Sequence, residues 1–159
     1  MIVVAIIAVL AIVVIPSFLK ESKRASAKSE VHPMFSELVT RLEQYKLESN
    51  AYLAMTACPP SASSTGTDIT TEACATTSGN PWLLLRLQSP VTKLKCAYTI
   101  SIGAAGTDPT ASADGLWPSW GTAPAGNPAT SWYFVKAVCP NTEYYQSSWD
   151  TTLRAKDGH

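Results

Sequence analysis

Residues 1–19 read MIVVAIIAVLAIVVIPSFL, and the first fifteen of them are apolar without interruption. As an α-helix those fifteen residues rise about 22 Å, less than the roughly 30 Å of bilayer hydrocarbon. The stretch is therefore either an incomplete membrane span or a segment that does not pack on lipid alone. A cleavable signal peptide is the alternative, because residues 25–27 read Ala-Ser-Ala like a cleavage site. No basic residue precedes the run, and four charged residues stand before that site, which disfavours a signal peptide.

This segment resembles the N-terminal helix of type IV pilins and related pseudopilins, through M-I-V-V-A-I-I at residues 1–7 and I-P-S-F at residues 15–18. Mature chains of that family begin with a methylated Phe followed by T-L-I-E-L, and this sequence starts inside the motif. We therefore expect about six residues upstream, which would lengthen the helix to roughly 31 Å, enough to span a membrane. The resemblance implies a helix that lies in the membrane before assembly and in a filament core afterwards.

The resemblance also assigns roles within this segment. Filament-core packing is expected of Met1, Ile2, Val3, Val4, Ile6, Ile7, Val9, Leu10, Ile12, Val13, Val14 and Ile15. Pro16 is expected to break the helix in the assembled filament, because proline cannot donate a hydrogen bond to the carbonyl four residues back. We expect the opening between residues 8 and 16.

A second helical pattern follows a patch of basic residues and predicts an amphipathic stem over residues 20–54. Apolar residues recur there at three- and four-residue spacing: Phe35, Leu38, Val39, Leu42, Tyr45, Tyr52 and Leu53. Glu37 and Arg41 are placed to pair on the polar side. Pro33 is expected to kink the rod or to mark a helix start. The predicted division is an N-terminal helix at 1–54, with 1–19 in membrane or filament core, and a globular head at 55–159.

The predicted head contains four cysteines: Cys58, Cys74, Cys96 and Cys139. Their spacing lacks the close ligand pairs of zinc sites, and only His32 and His159 could join them. An even number at wide spacing favours disulfides and an oxidising compartment, with inert buried thiols as the alternative. Three connectivities are possible. We expect Cys58–Cys74, which would close a loop, and Cys96–Cys139, which would join two strands.

The head is predicted to be α+β, with an antiparallel sheet of three or four strands laid on the long helix, and the resemblance likewise implies the pilin fold. Strands are expected from residue 94, at 131–139 and at 142–149, and loops at 55–80 and 103–130. Residues 82–87 are either a strand or a single helical turn. Ten Ser or Thr residues lie between positions 61 and 78, in a tract that suits a plain solvated loop or O-linked sugars.

The sequence shows no catalytic pattern. Lys plus Arg equals Asp plus Glu at 12 each, so no specific nucleic acid or acidic substrate is expected as a partner. No triad, phosphate loop or metal-spaced carboxylate set occurs. We expect no enzyme activity, cofactor or metal. Trp82 and Trp132 are expected in the core, whereas exposure and burial are about equally expected for Trp117 and Trp120.

The resemblance implies a structural subunit of a type IV pilus, a helical homopolymer that serves adhesion, motility or DNA uptake. Its partners would be identical subunits, the bacterial inner membrane before assembly and the pilus assembly machinery, and its final place the extracellular pilus at the cell surface. Alternatives are a pseudopilin of a type II secretion system, a minor pilin adhesin at the filament tip, and an anchored binding head of another family. Lys20, Lys23, Arg24 and Lys28 favour a cytoplasmic stem by the positive-inside rule, but the cysteines favour an external head.

Overall fold

The computed structural model describes residues 2–111 and 116–157. Within these ranges, side chains are described from residue 25 onward, except that of residue 26. The long helix α1 runs from Ile2 to Ser49. Its backbone is helical through both proline positions. Pro33 therefore does not start a helix, contrary to one of the two expectations for it. This proline is exposed, so water can hydrate the backbone around its ring. The expected ion pair is present, with Arg41 Nε 2.8 Å from Glu37 Oε1.

The helix ends at Ser49, before the predicted boundary at residue 54. Asn50 adopts the left-handed conformation with φ of 59°, and its amide donates to the Lys46 carbonyl at 2.8 Å. Ser49 Oγ donates to the Tyr45 carbonyl at 2.7 Å. Tyr52, which continues the apolar stripe in the sequence, therefore lies beyond the helix and reaches the core from the following segment.

The head contains short elements in a fixed order. They are β1 (Met55–Cys58), β2 (Thr67–Asp68), α2 (Ala73–Thr76), α3 (Pro81–Leu84), β3 (Lys93–Leu94), β4 (Ala97–Gly103), a 3-10 turn (Pro109–Ala111), β5 (Trp132–Cys139), β6 (Thr142–Ser147) and β7 (Arg154–Asp157). The 55–80 segment thus holds two strands and a helical turn where a loop was expected. Residues 82–87 take the helical alternative, because Asn80 Oδ1 accepts from the Trp82 amide at 3.0 Å and Pro81 occupies the first turn.

The described part of the chain forms an antiparallel sheet of five strands, in the order β1-β4-β5-β6-β7, so the prediction of three or four strands was wrong. The strands that the sequence did not reveal are the two at the edges. β1 has a register irregularity, and all four residues of β7 are exposed. Neither therefore shows the alternation of apolar and polar residues by which a half-buried strand is recognised. A separate two-stranded sheet pairs β2 with β3.

The main core lies between α1 and one face of the five-stranded sheet. Phe35, Leu38 and Leu42 of α1 are buried there. Facing them are buried side chains of the sheet: Tyr98, Ile100, Tyr133, Val135, Ala137 and Tyr144. Phe35 meets Tyr98 edge-on, with ring centroids 6.2 Å apart. The architecture is α+β, a long N-terminal helix packed on an antiparallel sheet.

The opposite face of the sheet is covered by the connection between β4 and β5. Trp132 and Phe134 of β5 and Tyr145 of β6 are buried on this face, and Trp117 and Trp120 of the connection pack on them half-buried. Trp132 fits there because Gly103 lies opposite it across the strands. A Cβ at Gly103 would stand 2.1 Å from Trp132 Cζ2, so this position excludes any side chain.

Candidate functional site

The apolar run of residues 1–15, on which the functional expectations depend, forms the first part of α1, but its side chains lie outside those that the structure describes. The filament-core packing expected of these residues therefore lies outside the described side chains. The break expected at Pro16 concerns the assembled filament. In the single chain the backbone is helical on both sides of this proline. Among the helices with described side chains, none is both long and apolar enough to cross a membrane.

The four cysteines form two disulfides in the pairing that the sequence predicts. Cys58 bonds to Cys74 with Cα atoms 5.9 Å apart, and Cys96 bonds to Cys139 with Cα atoms 4.2 Å apart. The second bridge follows from strand register. Ala97 pairs with Val138, so the residue before β4 stands opposite the last residue of β5. The first bridge closes the segment between β1 and α2.

The stem and the head are joined by a buried carboxylate that the sequence analysis did not single out. Glu30 of α1 is 4% exposed. Its Oε1 accepts from the Cys96 amide at 3.1 Å and the Tyr98 hydroxyl at 3.0 Å, and its Oε2 accepts from the Lys95 amide at 2.9 Å. Burial, followed by the charge of Glu30, raises the pKa of the Tyr98 phenol well above its ordinary value, so this hydroxyl stays a donor. The result is a charge-assisted connection between the helix and the disulfide-bonded edge of β4.

A second polar connection lies near the end of the stem. Tyr52 Oη donates to Glu43 Oε1 at 3.0 Å, and Lys46 Nζ donates to Tyr52 Oη at 3.0 Å. The Tyr52 ring meets that of Tyr133 edge-on at 4.9 Å, which brings β5 into the same cluster. Burial raises the pKa of both phenols, with Glu43 adding to the shift. Glu30 thus bonds α1 to the β4 side of the sheet. Glu43, thirteen residues further and about 20 Å along the helix, bonds α1 to Tyr52, whose ring packs on Tyr133 of β5.

The connection between β4 and β5 is held on the sheet by indole hydrogen bonds. Trp120 Nε1 donates to Glu143 Oε2 at 2.9 Å, and Glu143 Oε1 lies 3.3 Å from Lys136 Nζ. Trp132 Nε1 donates to Thr107 Oγ1 at 2.9 Å. Trp117 and Trp120, for which exposure and burial are about equally expected from the sequence, are both half-buried. The expected burial of Trp82 and Trp132 is confirmed.

Tyr145 lies in the middle of this aromatic layer. Its ring meets those of Trp117, Trp120 and Phe134 at centroid distances of 5.6, 6.1 and 6.0 Å. Its hydroxyl is the one buried side-chain polar atom, within the described ranges, that makes no hydrogen bond. Burial raises the pKa of Tyr145 to about 12. The layer is therefore a second core rather than an open aromatic surface.

In the segment closed by the first disulfide, some side-chain hydroxyls are hydrogen-bonded within the segment and others are exposed to solvent. Thr70 Oγ1 donates to Asp68 Oδ1 at 2.7 Å, and Thr71 Oγ1 donates to the Asp68 carbonyl at 3.2 Å. The Thr70 hydroxyl, followed by the Thr70 amide that donates to the same oxygen at 3.0 Å, holds the pKa of the Asp68 carboxyl below its usual value. Ser61 and Ser64 are exposed, and in the described structure their side chains make no hydrogen bond.

An apolar cleft of about 470 Å³ opens beside α3. Trp82 and Leu87 are buried in its lining, whereas Leu83 and Val91 are 43% and 39% exposed. The lining offers no cluster of titratable groups. Across the part of the chain that the structure describes, no group of three His, Cys, Asp or Glu side chains is placed to hold a metal ion.

Comparison with protein-family models, with curated proteins and with solved structures gave no match. The features that bear on function are therefore the chain's own: the apolar run, the continuous helix, and the head joined to it by Glu30 and closed by two disulfides.

Proposed function

We propose that this chain is a structural subunit of a type IV pilus filament. The observation that carries the proposal is the apolar run of residues 1–15 in a helix that continues to Ser49 and packs on a disulfide-bonded head between Ala27 and Leu42. The run resembles the assembly segment of pilins in sequence.

The length of α1 supports this proposal. Its 48 residues rise about 72 Å, whereas a head of about 105 residues has a radius of gyration near 13 Å. The helix residues described as buried against the head begin at Ala27 and reach Leu42. The apolar run precedes them by more than ten residues. Burying apolar surface contributes about 25 cal/mol of favourable free energy for each Å² removed from water. The side chains of the run would gain this free energy by packing against lipid or against neighbouring helices.

The stem–head junction supports the same role. A filament subunit transmits axial load from its helix to its head, and a helix held by apolar packing alone can slide along its partner. Glu30 adds directional bonds from α1 to the head, and Glu43 adds one to Tyr52 in the segment that leads from α1 into β1. The disulfide at Cys96 ties the strand that receives the Glu30 bonds to β5. The disulfides also suit an extracellular location, where thiols oxidise.

The proposal is tested by a charge placed in the apolar run. In the bacterium that makes the chain, Val9→Glu is expected to abolish its presence in sheared surface filaments, because a carboxylate is costly among packed apolar helices. Ser78→Glu, which adds the same charge at an exposed position of the head, is the matched control and is expected to assemble normally. Filaments that retain the Val9→Glu chain would refute the proposal.

The abundance of the chain in the same preparation separates a pilus subunit from the alternatives. A major subunit dominates sheared filaments, whereas a pseudopilin or a tip adhesin is scarce in them. We expect this chain to be the main protein of the preparation, measured by quantitative mass spectrometry of the wild-type strain.

A further inference from the structure

The two disulfides differ in their access to solvent. Cys96 and Cys139 are both buried, with exposed fractions of 0% and 2%. In the other bond Cys58 is buried, but Cys74 is half-buried. Cys74 belongs to α2, which has no buried residue. A dissolved thiol can therefore reach Cys74, whereas both residues of the second bond lie in the core.

The segment around Cys74 has few other connections to the head. None of residues 70–79 is buried. Within the described ranges, the hydrogen bonds of these residues all run to partners between positions 68 and 80. Apart from the continuity of the chain, the bond from Cys74 to Cys58 is therefore the one covalent or hydrogen-bonded link that the described structure shows between this segment and the five-stranded sheet.

The same segment contributes to the apolar cleft beside α3. Thr70 and Ala75 belong to the cleft lining. Trp82 and Leu87 belong to it as well, and both are buried. Because the buried side chains of Ile69 and Trp82 stand on either side of the segment, α2 can move while the core stays in place. Such a movement takes Ala75 out of the lining and opens the cleft toward the Trp82 ring.

We propose that the Cys58–Cys74 bond is a redox-sensitive latch that keeps α2 against the cleft. The reductant is a dithiol. One of its thiolates attacks Sγ of Cys74, the bond to Cys58 breaks, and Sγ of Cys58 leaves with the electron pair and takes up a proton. The second thiolate of the dithiol then attacks the reductant sulfur of the mixed disulfide, and Cys74 leaves as a thiolate that is protonated in turn. The protein gains two electrons and two protons, and the dithiol becomes a disulfide.

Reduction of the latch has a local effect. The released segment has no buried side chain and no hydrogen bond to the sheet, so it opens at low free-energy cost. The sheet stays closed, because β4 and β5 keep their own ladder and the buried Cys96–Cys139 bond. The cleft is thus narrow in an oxidising compartment and open where dithiols are present.

The first measurement compares how fast the two bonds are reduced. The full chain in detergent is treated with dithiothreitol for increasing times, alkylated with iodoacetamide and digested with trypsin. Both cysteines of the latch fall on one peptide, residues 47–86, whereas the second bond joins two peptides, residues 96–136 and 137–154. We expect the latch cysteines to be alkylated about tenfold faster or more. Equal rates for the two bonds would overturn the proposal.

The second measurement determines whether reduction frees α2 alone. In the selectively reduced, alkylated and desalted chain, amide hydrogen exchange of α2 is expected to rise about tenfold or more. Hydroxyl-radical oxidation of Trp82, the one tryptophan of peptide 47–86, is expected to rise as well, while exchange of β5 and β6 stays unchanged. Unchanged α2 exchange or Trp82 oxidation would contradict the latch. Faster exchange throughout the sheet would also contradict it, because the bond would then support the whole fold.

The control variant is Cys58→Ser/Cys74→Ser, which lacks the latch. We expect its α2 to exchange fast both with and without dithiothreitol, and linked peptides 96–136 and 137–154 show that it has folded. Slow α2 exchange in this folded variant would refute the proposal, because packing alone would then hold the segment. No readout involves assembly, so the latch stands or fails separately from the proposed pilus function.

Discussion

The connection made by Glu30 predicts which single change most weakens the stem–head junction. Glu30→Ala removes the acceptor of the Cys96 amide and of the Tyr98 hydroxyl, both of which belong to fully buried residues. A buried donor left without an acceptor costs about 1–3 kcal/mol, so the two together cost roughly 2–6 kcal/mol. The Lys95 amide belongs to a half-buried residue, so water can replace its acceptor.

Part of this loss is offset, because the variant no longer buries a carboxylate. We expect the free energy of unfolding to fall by about 3–4 kcal/mol, a Tm decrease on the order of 15 °C for a head of this size. Glu30→Gln keeps the oxygen that serves Cys96 and Tyr98 but turns an amide donor toward the Lys95 amide. It should cost less, about 1–2 kcal/mol.

The assay is urea unfolding of the detergent-solubilised chain, followed by the fluorescence of the buried Trp82 and Trp132. Glu37→Gln is the control on the same helix. It breaks a partly exposed i,i+4 ion pair with Arg41, worth no more than about 0.5 kcal/mol. Equal effects of the Glu30 and Glu37 variants would refute the reasoning that the buried connection holds the head to the stem.

Three further outcomes follow from the contacts of the head. Gly103→Ala is expected to lower the free energy of unfolding by about 2 kcal/mol or more, because the Cβ of the introduced alanine would overlap the Trp132 ring. An unchanged Tm would contradict the close packing of β4 on β5. Trp120→Phe leaves a smaller aromatic ring and removes the donor to Glu143, so a loss of at least about 1–2 kcal/mol in the same melts is expected, and a neutral result would show that this bond adds nothing. Hydrogen bonding from Arg154, the largest cause, lowers the pKa of the Asp150 carboxyl. The stability that this pair supplies is therefore complete above the ordinary Asp pKa near 4 and is lost as pH falls through the lowered value. The protection factors of the β7 amides, which are corrected for the intrinsic pH dependence of exchange, should therefore fall in that acidic range, and Asp150→Asn should remove this fall.

Several features of this chain follow from local sequence. The apolar run and the apolar stripe that follows it predict a long helix. The stripe is recognised from the helical spacing of Phe35, Leu38 and Leu42, and these side chains are buried. The β5 strand is recognisable because it is strongly apolar and ends at a tight turn. Of the three possible connectivities, the two disulfides are the expected ones: one closes the loop that Cys58 and Cys74 bracket, and the other joins Cys96 and Cys139 on two neighbouring predicted strands.

The edge strands and the polar connections were decided by tertiary structure. β7 has no apolar pattern, and it is a strand because the backbone of β6 offers it hydrogen-bond partners. Glu30 looks in sequence like any surface glutamate of a helix. Its role appears only when α1 packs so that the carboxylate meets two amides and a phenol from residues 65 to 68 positions away. Local sequence determines which backbone conformations and apolar faces are favoured, whereas the partner of a polar group depends on what the packed fold brings within hydrogen-bonding distance of it.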